Sequence, residues 1–369
     1  MAIEASQTSS TVKQQLVDQL PKRFKGLKFG IQSNQDIVNQ AVLEVSDRML
    51  YDIENNRAPY RHGPLDPRLG TSSKTGLCAT CLQPLQDCVG HFGHVRLPLP
   101  AFHIGYLRYV VMVLQNICKD CARVLLTEPE RRQYLRELRR PGIDNLRRSQ
   151  VVKKINDQCK KVRACPRCGA VNGTIRKHGV LKLVHDKFAA YHKSTAQKKA
   201  PPPGKRAFDA SFAEATKYNP ELEKHVRKAV DDLNPLRVLN LFKKISPTDC
   251  ELLGLDPAEG RPEMFLWQYL PAPPVCIRPS VQQDNASNED DITTKLAEIV
   301  YISGLIRAAL HKGVAIATVM EQWEYLQLQI AMYVNSDVPG LSQPGFGKAV
   351  RGFCQRLKGK QGRFRGNLT

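Results

Sequence analysis

The feature that most constrains this chain is a cluster of three cysteines and two histidines within seventeen residues. The segment is Cys78-Ala-Thr-Cys81-Leu-Gln-Pro-Leu-Gln-Asp-Cys88-Val-Gly-His91-Phe-Gly-His94. Its thiols and imidazoles fall into tight pairs joined by a short loop, which is what a tetrahedral zinc site requires. A segment of this kind must fold around its metal, so the ligands dictate the local backbone.

The spacing indicates which side chains bind. Cys88 and His91 repeat the two-residue interval of Cys78 and Cys81, and that interval suits a zinc knuckle. His94 would need a wider loop, so we expect it to support the site or to pack beside it. A lone histidine is often a hydrogen-bonded core residue, but three spaced cysteines beside His91 favour zinc ligation.

A second quartet has the same internal spacing and consists of Cys118, Cys121, Cys165 and Cys168. The 43 residues between its two pairs exceed those of a compact zinc ribbon, so the insert must fold separately. Cys159 is near enough in sequence to compete with Cys165. The glycine after Cys168 favours the 165/168 pair, because it leaves backbone amides free to face the thiolates. Whether Cys159 or His94 ever binds zinc stays open.

The charge balance indicates a polyanionic partner. The chain of 369 residues has 55 Lys and Arg against 35 Asp and Glu, a formal net charge of +20, which points to nucleic acid. Eleven cysteines are an odd number, and no apolar leader marks the chain for secretion, so metal-bound thiolates fit better than disulfides. No run approaches 18 apolar residues, so we expect no membrane span, and cytosol or nucleus remains.

Two segments concentrate the positive charge. The insert between the cysteine pairs has a run of arginines from Arg131 to Arg140, followed by Arg147, Arg148, Lys153, Lys154, Lys160 and Lys161. This insert is either a solvated helix face or a nucleic-acid contact. The second segment has no acidic residue and ends the chain, predicting a nucleic-acid-binding strand or turn rather than a solvated tail. Its basic residues are Lys348, Arg351, Arg356, Lys358, Lys360, Arg363 and Arg365.

The remaining patterns predict an α+β chain with small antiparallel sheets and a helical hairpin. A hairpin of long helices is expected from Ile292 to Leu310 and from Ala315 to Val334, with apolar stripes facing the core and an exposed tip near His311 to Val314. The other predicted elements are a strand over Lys22 to Gly30, a helix capped by Ser33 with an apolar stripe to Val45, a loop over Ala58 to Gly70, a hairpin over Thr174 to His185, a linker over Lys193 to Arg206, helices over Leu236 to Ile245 and Thr248 to Leu253, and an extended, proline-rich Leu270 to Pro279.

Several of these stretches together resemble the N-terminal part of the largest subunit of multisubunit DNA-directed RNA polymerases. The resemblance covers most of the chain, and Gly63 to Thr71 and Asn234 to Gly254 are most similar to RNA polymerase III. The stretches that carry it are Asp66-Pro-Arg-Leu-Gly70, the Cys78 to His94 cluster, the second quartet, Thr174-Ile-Arg-Lys177, Leu270 to Pro279, and Arg356-Leu-Lys-Gly-Lys-Gln-Gly-Arg-Phe-Arg-Gly-Asn-Leu368.

The resemblance implies a zinc-stabilised clamp that closes over template DNA and the RNA–DNA hybrid. It implies two structural Zn²⁺ ions, one in each quartet, a lid after Arg278, a clamp coiled coil in the helical hairpin, a rudder over Val338 to Gly347 and a DNA-gripping switch over Arg356 to Arg365. The chain would then divide into five parts. They are an N-terminal clamp strand and helix (1–57), the zinc-binding clamp region with the basic insert (58–186), a linker and helical clamp core (187–270), the lid and coiled-coil hairpin (271–337), and the rudder with the basic switch segment (338–369). The implied partners are the other polymerase subunits, above all the second-largest, and initiation and elongation factors at the coiled coil, in the nucleus.

One departure from the family concerns catalysis. The family holds its catalytic Mg²⁺ with Asn-Ala-Asp-Phe-Asp-Gly-Asp, and that motif does not occur here. Nucleotidyl transfer in this family depends on metal ions held by those aspartates. We therefore expect a truncated chain that has no catalytic residue of its own and is inactive as a nucleotidyltransferase. The alternatives are an independent zinc-containing nucleic-acid-binding or regulatory protein, and a zinc-finger factor, against which the absence of a base-reading finger helix argues.

Overall fold

The structure is a computed structural model that describes residues 25–26, 30–189, 203–223, 229–283, 286–338 and 350–367. The chain divides into two units, residues 1–31 and 32–369. Most of the first unit, with most of the strand predicted over Lys22 to Gly30, lies outside the described residues. The second unit combines helices with antiparallel sheets of two or three strands, as the α+β prediction requires.

The first long strand, β3 (Gly93–Phe102), pairs with the distant β7 (Leu266–Ala272). The pairing is antiparallel, with Val95 opposite Leu270 and Phe102 opposite Leu266. The register shifts between Arg96 and Ala101, where the strand has two prolines that lack the N–H a ladder needs. The proline-rich segment after Leu270 was expected to be extended throughout, but it ends β7 and then makes a 3-10 turn at Val275–Ile277.

Two long helices pack against this strand pair, α8 (Asp291–Lys312) and α9 (Ile316–Val334). Asp290 caps α8, where its side chain accepts a hydrogen bond from the Ile292 amide at 2.8 Å. Gly313, with φ of 65°, ends α8 as predicted. Residues 311–318 are exposed, as the predicted tip requires.

The buried stripe of α8 is narrower than the sequence suggested. Leu305 and Leu310 were placed in it, but they are 39% and 51% exposed. The buried line runs through Ile302, Ile306 and Ala309, because α9 and β3 cover only one side of the helix. In α9 the predicted stripe is buried throughout, and Trp323 Nε1 donates to the Pro100 carbonyl at 2.9 Å.

The helix capped by Ser33, α1 (Asn34–Gln40), has the expected capping box with Asp36 but stops before the end of its apolar stripe. The residues that follow are extended beside the end of the first cysteine cluster. Val42 and Val45 amides donate to the carbonyls of Phe92 and His94, each at 2.8 Å. These tertiary hydrogen bonds outweigh the helical pattern, since a backbone amide has only one hydrogen to donate.

Three of the remaining predicted elements are confirmed, and part of one is wrong. The hairpin predicted over Thr174 to His185 forms, and so do the two helices that Asn234 and Ser246 cap. Residues 203–206, which were expected to belong to a linker, instead begin a helix. The rest of that predicted linker, residues 193–202, lies outside the described residues. The other helices and strands of the described residues are β1 (Tyr51–Asp52), β2 (Ala58–Pro59), α2 (Leu107–Asn116), α3 (Glu128–Leu138), α4 (Asn145–Cys159), β4 (Thr174–His178), β5 (Lys182–Asp186), α5 (Pro203–Tyr218), β6 (Val230–Asp232), α6 (Pro235–Lys243), α7 (Pro247–Leu252), β8 (Val281–Gln283), β9 (Ala286–Asn288), α10 (Phe353–Leu357) and α11 (Arg363–Asn367). Within the described residues, no helix combines the length and apolar character that crossing a bilayer demands.

A fully buried arginine ties three segments of this unit together. Arg278 Nε donates to the Pro273 carbonyl and Nη1 to Thr293 Oγ1, both at 3.0 Å, and Nη2 donates to the Pro64 carbonyl. Burial lowers the pKa of Arg278 to about 10, while nearby Asp290 and Glu289 oppose that shift. The loop before the first cysteine cluster is thereby joined to the end of β7 and the first turn of α8.

We expect Arg278→Met to lower the free energy of unfolding by about 3 kcal/mol, because buried acceptors lose their donor while an unbranched apolar side chain still fills part of the site. Chemical denaturation followed by circular dichroism measures the change. Arg108→Met is the matched control, since Arg108 is exposed on α2, and it should change stability by less than about 0.5 kcal/mol. Equal effects of the two substitutions would contradict the role assigned to Arg278.

Candidate functional site

The first candidate metal centre brings together the four side chains chosen from spacing, Cys78, Cys81, Cys88 and His91. Their potential ligand atoms all lie within 4.8 Å of one another. His91 Nε2 is buried and has no hydrogen-bond partner among the described residues. Burying a ring nitrogen without a hydrogen-bond partner costs folding free energy unless another group, such as a metal ion, binds that nitrogen. Three thiols around such a nitrogen are a donor set that fits zinc.

His94 lies outside this group. It is part of β3, and its ring packs edge-on against Tyr269, with ring centroids 5.4 Å apart. Burial lowers the pKa of His94 from its ordinary value. This position suits the packing role expected for it.

Three CxxC turns in the two centres share one backbone geometry. In each, the amide four residues after the first cysteine donates to that cysteine's carbonyl, at 2.9 to 3.1 Å. The donor residue is left-handed every time: Leu82 (φ 58°), Ala122 (φ 57°) and Gly169 (φ 71°). The glycine that favoured the 165/168 turn in the sequence is therefore not a requirement, because leucine and alanine adopt the same conformation at a cost of about 1 kcal/mol or more.

The loop Asp66 to Gly70 supports the first centre from one side. The His91 amide donates to the Leu69 carbonyl at 3.2 Å, and Thr80 Oγ1 donates to the Arg68 carbonyl at 2.7 Å. Asp66 is buried, and burial alone would raise its pKa. Hydrogen bonds from Arg68 and the His62 amide outweigh that effect and lower the pKa of Asp66 to about 2. The carboxylate stays charged and fixes the loop.

Gly90 lets the segment directly after β7 approach this candidate centre. It has φ of 82°, and an added Cβ would lie 2.5 Å from Pro274 Cβ. Glycine is the residue that accepts both the positive φ and the close approach.

The second candidate metal centre joins Cys118 and Cys121 to Cys165 and Cys168, across the long insert. The Sγ atoms of Cys118 and Cys168 are 3.5 Å apart, and those of Cys121 and Cys165 are 3.8 Å apart. A tetrahedron with Zn–S bonds of about 2.3 Å places its sulfurs about 3.8 Å apart. The spacing therefore fits a zinc tetrathiolate. Burial raises the pKa of Cys118 to about 12, which disfavours the thiolate. A bound cation would oppose this effect by stabilising the charged sulfur.

Cys159 does not join this group, although the sequence left it as a competitor. It ends α4 with its side chain fully buried, and burial raises its pKa to about 12. It belongs to the packing between the insert and the centre.

Lys119 is a supporting residue that the sequence did not reveal. It is only 7% exposed, and its Nζ donates to the Ile117 carbonyl at 2.9 Å and to Asn172 Oδ1 at 2.7 Å. Burial lowers the pKa of Lys119 to about 8, an effect that the neighbouring Cys118 thiol group opposes. The ammonium group joins the segments that carry the two CxxC turns and places positive charge near the thiols of Cys118 and Cys165. The position of a lysine between two ligands was its only signal in the sequence.

The basic C-terminal segment docks on the end of α9. Phe353 packs edge-on against Tyr333, with centroids 5.0 Å apart, and Gln355 Nε2 donates to Asn335 Oδ1 at 2.7 Å. The segment is not the strand or simple turn that was predicted. It forms two short helices, α10 and α11, and the contacts of Phe353 and Gln355 hold the first of them against the end of α9.

The basic side chains of this segment divide by their contacts. Arg356 pairs with Asp290 and donates to the Ile277 carbonyl, so it is partly a structural residue. Arg363 donates to Asn367 Oδ1 at 3.0 Å. Arg351, Lys358, Lys360, Arg363 and Arg365 are exposed, whereas Lys348 lies outside the described residues.

Comparison with known proteins identifies the family. The family model for RNA polymerase Rpb1, domain 1, matches residues 21–368. DNA-directed RNA polymerase III subunit rpc1 of Schizosaccharomyces pombe is 56% identical over 97% of the chain and 25% of its own length. The corresponding subunit of Saccharomyces cerevisiae is 53% identical over 97% of the chain and 25% of its own length. That of Homo sapiens is 43% identical over 94% of the chain and 25% of its own length. The chain thus spans about a quarter of the length of these curated relatives.

We expect elemental analysis to find two zinc ions per chain, because the four ligand side chains of each centre converge. Cys88→Ser and Cys165→Ser should each retain about one ion. Cys159→Ser and His94→Gln are the matched controls and should retain both. A zinc content of one or none in the parent chain, or a loss of zinc with either control, would refute the assignment.

Lys119→Met should weaken zinc retention at the second centre, because the substitution removes a buried charge and two hydrogen bonds beside the ligands. Supporting residues of this kind change metal affinity by about 10- to 100-fold. Transfer of zinc to a colorimetric chelator measures the loss. Arg167→Met removes an exposed charge from the same centre and should leave transfer unchanged, and identical behaviour of the two variants would count against Lys119.

Proposed function

Since the chain belongs to the RNA polymerase Rpb1, domain 1, family, we propose that it is the N-terminal clamp part of the largest subunit of RNA polymerase III. The observation that carries the proposal is the family match over residues 21–368, together with both ligand quartets assembled in one unit. In this role the chain grips template DNA and the RNA–DNA hybrid. The relatives are polymerase subunits by name, and nucleotidyl transfer with Mg²⁺ is proposed for the assembled nuclear enzyme.

The two metal centres would stiffen the clamp. With zinc bound, each would act as a crosslink between segments that are otherwise held by loops. The first quartet sits directly before β3 and beneath the end of β7, and the second closes the insert. Their residues contribute position and rigidity, because all four ligand places in each quartet are filled by protein side chains.

The α8–α9 hairpin would serve as the clamp coiled coil, where initiation and elongation factors dock. Its exposed tip supports this role, since Val314 is 40% and Ile316 80% exposed. Apolar side chains presented to solvent at a projecting turn are suited to a protein partner. The other subunits, above all the second-largest, would contact the clamp elsewhere.

The segment after Arg278 would form the lid, and it contains the β8–β9 hairpin. The proposed rudder, residues 338–347, lies outside the described residues except for Val338. The division into residues 1–57, 58–186, 187–270, 271–337 and 338–369 stays a prediction.

The switch segment would hold the template through its exposed cations. Arg356 anchors it to Asp290 in front of α8, which leaves Lys358, Lys360 and Arg363 on the surface beyond the anchor. No acidic residue occurs between 338 and 369 to compete with phosphate. Cations fixed on a docked backbone bind phosphates with less loss of conformational entropy than a free tail would.

We expect joint substitution of Lys358, Lys360 and Arg363 by glutamate to weaken DNA binding and to flatten its salt dependence. Each phosphate that the variant no longer neutralises should reduce the slope of log K against log salt by about 0.9. Fluorescence anisotropy from about 50 to 200 mM salt, a range over which such contacts change affinity strongly, measures the change.

The control for this experiment reverses three exposed cations far from the segment in sequence, Lys74, Arg108 and Lys243. It should retain the parent slope, and thermal unfolding should show that both variants fold. The proposed grip would be contradicted if the C-terminal variant kept the salt slope of the parent chain, or if the control variant lost as much affinity for DNA.

A further inference from the structure

The arginines on α3 and directly after it divide into an inner set, which pairs with carboxylates of α7, and an outer set. Inner Arg131 donates to buried Asp249 at 2.7 Å, and inner Arg139 pairs with Glu251 through two hydrogen bonds of 2.7 and 2.9 Å. These ion pairs attach α3 to α7, and the two carboxylates neutralise the charges of both arginines. Their partners hold the helix in one orientation, so the opposite side of α3 is a fixed surface.

The outer set lines a cleft between α3 and the start of α4. It consists of Arg132, Arg136 and Arg140 on α3 or directly after it, with Arg147 on α4 opposite, and all four are exposed. The cleft has a volume of about 700 Å³. Arg132 and Arg136 are four residues apart and lie on one face of α3, about 6 Å apart along its axis, and Arg140 follows shortly after the helix ends at Leu138. The helical pair alone spans about two phosphates of a nucleic-acid strand, at about 3.4 Å per nucleotide along the axis.

The acidic groups near the cleft do not neutralise it. Among the described residues, Glu137 is the single acidic residue that lines it, against four arginines. Arg132 also pairs with Glu128 at 3.2 Å, with both side chains more than half exposed. A solvent-exposed pair of this kind contributes only about 0.3 to 0.5 kcal/mol, so a phosphate can replace the carboxylate.

The chemistry of the cleft selects among polyanions. Its lining is polar except for Pro129, whereas a protein partner is usually bound through an apolar or aromatic centre. No aromatic ring from the described part of the chain lines it, although single-stranded nucleic acids are usually held by stacking on such rings. Arginines without a stacking platform suit the outside of a duplex, where phosphates face solvent and bases do not.

We propose that the cleft formed by Arg132, Arg136, Arg140 and Arg147 is a second nucleic-acid site, which binds the phosphate backbone of duplex DNA. It is separate from the C-terminal grip and does not depend on it. Contacts to phosphate carry no sequence information, so the site would hold DNA without selecting its sequence. The insert between the two cysteine pairs of the second centre would then be a contact arm, fixed at its base by the metal centre and at its side by Asp249 and Glu251.

The test replaces all four arginines by glutamine in the full chain and measures duplex binding across a salt series. We expect the slope of log K against log salt to fall by about 0.9 for each phosphate that the variant no longer neutralises, and affinity at low salt to fall at least about tenfold. Binding of a single-stranded probe of the same length should weaken less, because the cleft lacks stacking rings.

The matched control replaces four exposed cations elsewhere, Lys74, Arg108, Lys243 and Lys312, by glutamine and removes the same charge. Zinc content and thermal unfolding verify the fold of both variants. The proposal would be overturned if the cleft variant kept the salt slope of the parent chain, or if the control variant lost as much affinity for duplex DNA. It would also be overturned if the cleft variant lost as much affinity for single-stranded as for duplex DNA. Failure here, with the C-terminal glutamate variant still defective, would leave the proposed clamp function standing.

Discussion

The pairing of β3 with β7 is the interaction on which the rest of the second unit depends. It joins segments more than 160 residues apart in the sequence, and its ladder lies under both long helices of the hairpin. The first candidate metal centre ends directly before β3, and the segment after β7 returns over that candidate centre at Gly90. One antiparallel contact therefore sets where the cysteine cluster, the buried Arg278 and the α8–α9 hairpin lie relative to one another.

Buried charge is a second recurrent feature, and each case is matched to specific partners. Arg278 has three acceptors, Asp249 has two arginines, and Lys119 has a carbonyl and an amide oxygen. Removing one partner of such a group leaves an uncompensated polar atom in a low-dielectric interior, which is much more costly than the net gain of the intact contact. These groups therefore specify which segments meet more than they raise overall stability.

The surplus of positive charge is consequently divided between two uses. Arg131, Arg139 and Arg356 are bound to carboxylates that fix helices in place. Other cations remain exposed on surfaces that these pairs hold still, at the α3–α4 cleft and in the C-terminal segment. A formal charge of +20 indicates a polyanionic partner, but it does not distinguish the arginines that build the fold from those available to phosphate.

The sequence by itself determined the features that depend on local chemistry. The ligand quartets, the caps Asn234 and Ser246, the hairpin over Thr174 to His185 and the two long helices all follow from spacing or periodicity within a short stretch. Only the tertiary structure decided the early end of α1, the exposed Leu305 and Leu310, the short helices of the C-terminal segment, and the buried roles of Lys119 and Arg278. The physical reason is common to all of them: each is set by a partner that is distant in sequence, and a periodic pattern has no information about what will cover a given face or accept a given hydrogen bond.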